Sequence, residues 1–219
     1  MALSLRLQAI LDLVQGSQVL ADIGTDHALL PIEAMRRGFC KKAIACDINK
    51  GPLDIAAANI SGAGFAAQIE TRLGDGLQPI RPMEADCVVI SGMGGTRIWH
   101  ILQSEPTKAQ YAQRLILQPQ HNLETLRKNL HAEGYAIETE KLICEDRRFY
   151  VILLARYTGA VTPWAPQEYF LGKDIAQSPL FPAYLEYHQE KISRYIQSVK
   201  DENDRAADAA RLKWIEEVL

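Results

Sequence analysis

Apolar residues at Leu3, Leu7, Ile10, Leu11 and Val14 recur with a helical period, which predicts a helix over residues 2–14 closed by Gly16-Ser17. A short apolar run from Leu20 to Ile23 then reads as a buried strand ending in the turn Gly24-Thr25-Asp26-His27. The alternation repeats. Residues 29–37 are helical up to Gly38, 43–48 form a strand, and 53–60 form a helix with Gly51-Pro52 at its start and Gly62 and Gly64 at its end. Residues 68–72 give a third strand, and 86–90 a continuous apolar run of the kind buried on both faces of a sheet. A helix at 97–103, a strand at 114–118 and a helix at 123–131, stopped by Gly134, complete the series. Strands alternating with helices imply a parallel sheet with right-handed crossovers and helices on both faces.

The rhythm changes at residue 135. Residues 135–144 and 149–157 are strand-like but separated by only Glu145-Asp146-Arg147-Arg148, too short for a helical crossover, so they form an antiparallel hairpin. Five parallel strands finished by such a hairpin resemble the α/β, Rossmann-like seven-stranded sheet of class I methyltransferases rather than that of dehydrogenases, a likeness of fold that does not by itself fix the chemistry. After a linker at 158–166 no strand pattern survives. Residues 180–219 are charged and helical: Tyr184, Tyr187, Ile192, Tyr195, Ile196 and Val199 make one apolar stripe, and Ala207, Ala210, Leu212, Trp214, Ile215 and Val218 a second. Asp201-Glu202-Asn203-Asp204 separates them. This predicts a second unit, 158–219, built as a helical hairpin like an antiparallel coiled coil, beside a first unit of 1–157. Its role is open between subunit contact, simple packing and holding a substrate.

Composition narrows the class. With 219 residues, 47% of them hydrophobic, the chain can fill a sizeable core. No run of eighteen apolar residues and no signal-like N-terminus is present, so a cytoplasmic protein without a membrane partner is expected. Cys40, Cys46, Cys87 and Cys144 have no metal-ligand spacing and read as reduced thiols, so no metal is expected. The net charge of −3 is unhelpful for holding a polyanion, but residues 157–219 carry 7 Lys+Arg against 10 Asp+Glu, while 1–156 carry 17 of each. The deficit lies in the tail, which leaves room for a basic face on the larger unit. Arg36, Arg37, Lys41 and Lys42, or Arg147 and Arg148, are candidates; solvated surface charge is the plainer reading.

The candidate chemistry gathers where the strands end. The first strand brings Asp22 and Gly24 to the carboxyl edge of the sheet, and the second brings Asp47, placed where doubly wound folds hold ribose hydroxyls. The first turn is not G-x-G-x-x-G, because Asp26 and Leu29 stand where the second and third glycines belong. A pyrophosphate would meet a carboxylate there. S-adenosylmethionine carries a sulfonium and an amino group and no phosphate, so it suits the acidic turn better than NAD. Asp75, between Gly74 and Gly76, is placed to accept from an adenine amine. In Ser91-Gly92-Met93-Gly94-Gly95 the Asn/Asp-Pro-Pro-aromatic of exocyclic-amine methyltransferases is missing; the loop offers bare backbone, and Met93 either lies beside the transferring methyl or packs. Gln118-Pro119-Gln120 adds side-chain amides at the same edge. Asp26 and His27 stand at the cofactor turn, where either orients an acceptor or His27 merely holds structure; His100, His121, His131 and His188 read as structural.

Asp22-Ile23-Gly24-Thr25-Asp26-His27, Asp47-Ile48-Asn49-Lys50-Gly51-Pro52-Leu53, Arg72-Leu73-Gly74-Asp75-Gly76-Leu77, Gly92-Met93-Gly94-Gly95 and Leu117-Gln118-Pro119, in that order, resemble the bacterial TrmK family, the tRNA (adenine(22)-N1)-methyltransferases. The helical hairpin is similar to that family's coiled-coil C-terminal domain. The resemblance implies methyl transfer from S-adenosylmethionine to N1 of an adenine in the D-arm region of tRNA. It implies a cofactor set of Asp22, Gly24, Thr25, His27, Asp47, Asn49, Asp75, Gly76, Gly92 and Met93, with Asp26, His27 and Met93 toward the acceptor. The chain's own residues leave two rivals, a class I methyltransferase acting on a small molecule or protein, and a non-catalytic cofactor-binding module whose helical arm serves assembly. Monomer and weak homodimer are equally compatible with the sequence.

Overall fold

A computed structural model describes residues 3–198 and 201–219. Its centre is a seven-stranded sheet of β1 (Val19–Ile23), β2 (Lys42–Asp47), β3 (Ile69–Leu73), β4 (Cys87–Met93), β5 (Arg114–Pro119), β6 (Tyr135–Glu145) and β7 (Arg148–Tyr157). The order across the sheet is β3-β2-β1-β4-β5-β7-β6. The first five strands pair in parallel and β7 runs antiparallel to both β5 and β6, as the expected fold class requires. The chain winds outward from β1 to β3, then returns to place β4 on β1's other side. Successive loops therefore leave the β1/β4 junction in opposite directions and open a crevice at its carboxyl end.

Side-chain alternation assigns the two faces. Leu20, Cys87, Val89 and Ile116 pack with α1 (Leu5–Val14), α2 (Leu29–Arg36) and α3 (Lys50–Gly62). Their neighbours Ala21, Ile23, Val88, Ile90, Leu115 and Leu117 pack on the other face, with α4 (Gly95–Ser104), α5 (Pro106–Tyr111) and α6 (Leu123–Ala132). That period of two explains why the central strands are largely apolar on both faces, since both are covered.

Three local features differ from expectation. β4 runs on to Met93 instead of ending at Ile90, with a bulge against β5 between Ser91 and Met93. α5, and the short α7 (Pro166–Leu171) with the 3₁₀ turn Asp174–Gln177, were not signalled, because segments of four to six residues are too short to display a helical period. In α8 (Phe181–Ile196) the buried positions are Phe181, Tyr184, Leu185 and Ile192, while Tyr187 and Tyr195 of the expected stripe are exposed; Val199 lies outside the described residues. The inward face is turned because α8 packs on the sheet as well as on α9 (Glu202–Glu216): Phe149 of β7 meets the rings of Tyr184 and Tyr187 at 5.7 and 5.6 Å. Leu171, Ile175, Phe181, Leu185 and Ile215 join the same buried cluster as the strands, so the helical arm shares its core with one sheet face. In α9 only Ile215 of the expected apolar stripe is buried, and Val218 is exposed.

A buried ion pair ties the arm's root to this face. Arg127 of α6 donates to Glu140 of β6 at 2.7 Å, with both side chains almost fully buried. Arg127 also donates to the carbonyls of Tyr169 and Phe170, and Glu140 accepts from the Lys173 backbone N–H at 2.8 Å.

Candidate active site

The β1 turn is pinned to β2: the backbone N–H groups of Gly24 and Thr25 both donate to the Cys46 carbonyl at 2.9 Å. Gly24 has φ +75°, and a Cβ there would lie 2.5 Å from Met93 Cε. The left-handed backbone favours glycine here, and the missing side chain leaves room for the terminal methyl of Met93. Asp22 lies on the Leu20 side of the strand, buried beneath the turn, where its Oδ2 accepts from Thr25 Oγ1 at 2.7 Å. Burial pushes its carboxyl up to about 6, aided by repulsion from Asp47 and opposed by the Thr25 hydrogen bond.

At the tip of β2, Asp47 is also buried, and its Oδ1 accepts from the Asn49 backbone N–H at 2.8 Å. Its own backbone carbonyl takes the Gly74 N–H at 3.0 Å, which draws the loop after β3 alongside. Asp47, Asn49, Gly74, Asp75 and Gly76 thus line one side of a cleft of about 280 Å³; Gly24, Ser91, Gly92 and Met93 line the other. Ile48, 55% exposed, and Ile101 supply apolar wall.

Seven of the expected site residues therefore line the cleft: Gly24, Asp47, Asn49, Asp75, Gly76, Gly92 and Met93. Asp22 and Thr25 lie beneath it as buried support. Asp26 and His27 stand at its rim, exposed, with Asp26 Oδ1 and His27 Nε2 3.5 Å apart. Asp26 and Ala28 both have positive φ, 55° and 57°, and Asn59 holds the loop by donating to the His27 carbonyl at 3.0 Å. Two non-glycine residues in the left-handed region within one loop store of order 1–3 kcal/mol each, and such strain clusters at functional sites.

Sequence reasoning missed Arg97. It lines the cleft and its Nη2 lies 2.5 Å from Asp75 Oδ1, so one oxygen of the expected adenine acceptor is already engaged. Its position in the first turn of the helix after the glycine loop was the available signal. Gln118 is not a free amide at the edge but fully buried: its Oε1 accepts from Arg6 at 2.9 Å and from the Gly92 backbone N–H at 3.1 Å, the donor that the β4 bulge removes from the ladder. Of the basic candidates, Arg36 and Arg37 are paired to Glu33, and Lys42 opens β2 at the opposite edge of the sheet. Arg147 and Arg148, exposed at the β6–β7 turn, lie on the carboxyl edge of the sheet, the edge on which the cleft opens, because β7 runs antiparallel to β5; the turn is two strands beyond β4.

A methyltransferase-domain family model matches residues 3–153. The tRNA (adenine(22)-N(1))-methyltransferase of Bacillus subtilis is 40% identical over 153 residues, 70% of this chain and 64% of that protein. The solved structure of the Bacillus subtilis m1A22 tRNA methyltransferase TrmK is 31% identical, covers 99% of this chain and 98% of its own, and superposes with a TM-score of 0.83. The chain belongs to the TrmK family. Streptococcus pneumoniae Sp1610, solved in complex with S-adenosyl-L-methionine, is 30% identical over the whole of both chains with a TM-score of 0.90. The likeness to these TrmK-type structures thus includes the helical arm, whereas the 40% identical stretch spans less than two thirds of the curated relative's length.

Proposed function

We propose that this chain transfers a methyl group from S-adenosylmethionine to N1 of adenine 22 in the D-arm region of tRNA, in the cytoplasm. The observation that carries the reading is the cleft at the β1/β4 junction, with a buried acid at the tip of β2 and Asp75 after β3, in a chain similar along its whole length to a TrmK solved as a tRNA methyltransferase. The residues present fit the cofactor. Asp47 keeps Oδ2 free for ribose hydroxyls, Asp75 keeps its second oxygen for the adenine amine, Ile48 gives the ring an apolar wall, and the buried Asp22 complements the amino group beneath the Gly24 turn. When bound, S-adenosylmethionine supplies a methyl group on a sulfonium, activated for displacement.

The chain's own task is placement. Adenine N1 already holds a free lone pair, so no proton need be removed; the new N–C bond forms as the C–S bond breaks and its electron pair stays on sulfur. Holding the reacting atoms about 3 to 3.5 Å apart and in line is what the rigid glycine loop and Met93 contribute. The methylated base is cationic, and a carboxylate at the rim stabilises that charge; Asp26 is that group, able to accept from the N6 amine. N1 lies on the Watson–Crick edge, so the base must be unpaired or splayed out. Arg147 and Arg148 face the same edge and give the phosphate backbone a basic contact in an otherwise acidic protein.

Incubation with S-adenosylmethionine and unmodified tRNA, followed by digestion and mass spectrometry, is expected to yield 1-methyladenosine. Intact cofactor binding without that product would transfer the reading to a methyl acceptor other than tRNA.

A further inference from the structure

A base taken out of its stack loses stacking energy, and enzymes that act on such bases return it with an aromatic side chain. Among the described residues, neither the loop Ser91–Thr96 nor any other residue lining the cleft carries an aromatic ring, and the exposed His27 at the rim is paired with Asp26. The structure brings one from a different strand. His121, just past β5, lies against Gly94: a Cβ on Gly94 would be 2.3 Å from His121 Cε1, 2.7 Å from Nε2 and 3.1 Å from Nδ1. Gly94 is the residue next to Met93, which lines the cleft.

The placement is fixed from both sides. Gln120 N–H donates to the Met93 carbonyl at 2.8 Å, Gly95 N–H donates to the His121 carbonyl at 2.8 Å, and Asn122 Nδ2 donates to Thr96 Oγ1 at 3.1 Å. The two loops are thus zipped together with His121 between the bonds, so the backbone that carries the ring is held in place beside Gly94. Yet the residue is exposed, and among the described residues its side chain makes no hydrogen bond, ion pair or ring contact. His131 and His188 differ: they are packed among Trp164 and Tyr169, and among Phe170, Tyr184 and Tyr187. Those histidines are packed among aromatic rings; His121 is an exposed ring set against Gly94, one residue along the chain from the cleft-lining Met93.

We propose that His121 is the stacking surface for the acceptor adenine, taking the place of the aromatic that the β4 loop lacks. This rests on the proposed methylation of an unpaired base and specifies how that base is held. Base–aromatic stacking of the usual strength corresponds to roughly 5- to 100-fold in kcat/KM.

The test compares wild type, His121→Ala, His121→Gln and His121→Phe for 1-methyladenosine formation on unmodified tRNA, with calorimetric binding of S-adenosylmethionine on each. Alanine and glutamine are expected to lose that 5- to 100-fold, phenylalanine to remain within about threefold of wild type, and cofactor affinity to stay within about twofold throughout. Alanine matching wild type overturns the proposal. So does glutamine restoring the rate where phenylalanine does not, which would make the ring's nitrogens the working part, or loss of cofactor binding in the alanine variant, which would make the ring a prop for the glycine loop. Wild type yielding no 1-methyladenosine would overturn the functional reading itself, and this inference with it, whereas an active wild type with an equally active alanine variant removes the inference alone.

Discussion

The two banks of the cleft are made by different means. On the β2/β3 side, recognition sits in side chains: carboxylates at the strand tips, each with one oxygen tied to the protein and one left over, Asp47 to the Asn49 N–H and Asp75 to Arg97. On the β4/β5 side it sits in the backbone: a bulge, glycines, and reciprocal bonds between Met93 and Gln120 and between Gly95 and His121. The first bank can select a ligand by charge and hydrogen bonding. The second defines shape and distance, with the His121 ring its proposed side-chain contact to the acceptor. A methyl acceptor with a ready lone pair needs no base, so shape on the acceptor side is sufficient chemistry, whereas a cofactor with hydroxyls and amines needs donors and acceptors to hold it.

The contrast predicts opposite sensitivities. Gly95→Ala should be the most damaging single change on the acceptor bank, because its Cβ would lie 2.3 Å from the Asn122 carbonyl oxygen and 3.1 Å from that of His121. Both are backbone atoms, so relief requires opening the zipped loops. Methylation of tRNA is expected to fall more than roughly 100-fold while cofactor affinity measured by calorimetry drops less than about tenfold, since misplacement of reacting groups by an ångström costs on that order. Equal loss in both measurements would erase the distinction between the banks. Asp47→Ala should do the reverse, weakening S-adenosylmethionine by roughly 100-fold through two lost hydrogen bonds to a charged acceptor. A cofactor affinity within threefold of wild type would remove Asp47 from the ribose role.

This division also explains what could be read in advance. The parallel sheet, the terminal hairpin and the acids at the strand tips were legible because apolar period and acid-glycine pairs are properties of residues in sequence order. Asp47, Asn49, Asp75 and Gly76 fell where expected for that reason. Arg97 and His121 were not legible, because their significance comes from what lies across a turn: Asp75 for one and Gly94 for the other. Gln118 was misjudged for the same cause, since a buried amide serving a β-bulge and Arg6 looks in sequence like an exposed one. In the arm, helical period was visible but not which side faced the sheet, where Phe149 meets Tyr184 and Tyr187.

Asp22 offers a smaller effect that sharpens the cofactor side. Its folded carboxyl titrates at about 6, above its ordinary value of 3.8, because it is buried. Below about pH 3 it is protonated whether the chain is folded or not; as pH rises through 4 to 6 the unfolded chain releases the proton first, so the folded state loses stability until both are ionised. The accumulated penalty at neutral pH is about 2 to 3 kcal/mol. Asp22→Asn should therefore raise the melting temperature of the ligand-free protein by roughly 4 to 12 °C at pH 7.5 and change it little at pH 4. Because a cationic amino group is best met by the ionised carboxylate, cofactor affinity of the wild type should fall as pH drops through 6, and the asparagine variant should bind weakly and without that pH dependence. A stabilised variant that bound S-adenosylmethionine as tightly as wild type would show the buried charge to be unrelated to the cofactor.

The smallest expected effect falls where the two banks meet. Asp26 is exposed at the rim, in a left-handed conformation, beside His27 and within the loop that Met93 closes against at Gly24. Its proposed work is to face a base that becomes cationic, a stabilisation made through solvent-exposed groups and therefore modest. Asp26→Asn preserves shape and one hydrogen-bond acceptor but removes the charge, so kcat is expected to fall by roughly tenfold with tRNA KM and cofactor affinity nearly unchanged. Added salt should narrow the gap between wild type and variant, since it screens the charge but not the geometry. If kcat were untouched while KM for tRNA rose, Asp26 would be a contact that binds substrate and transition state alike, and stabilisation of the developing cation would have to come from elsewhere on the rim.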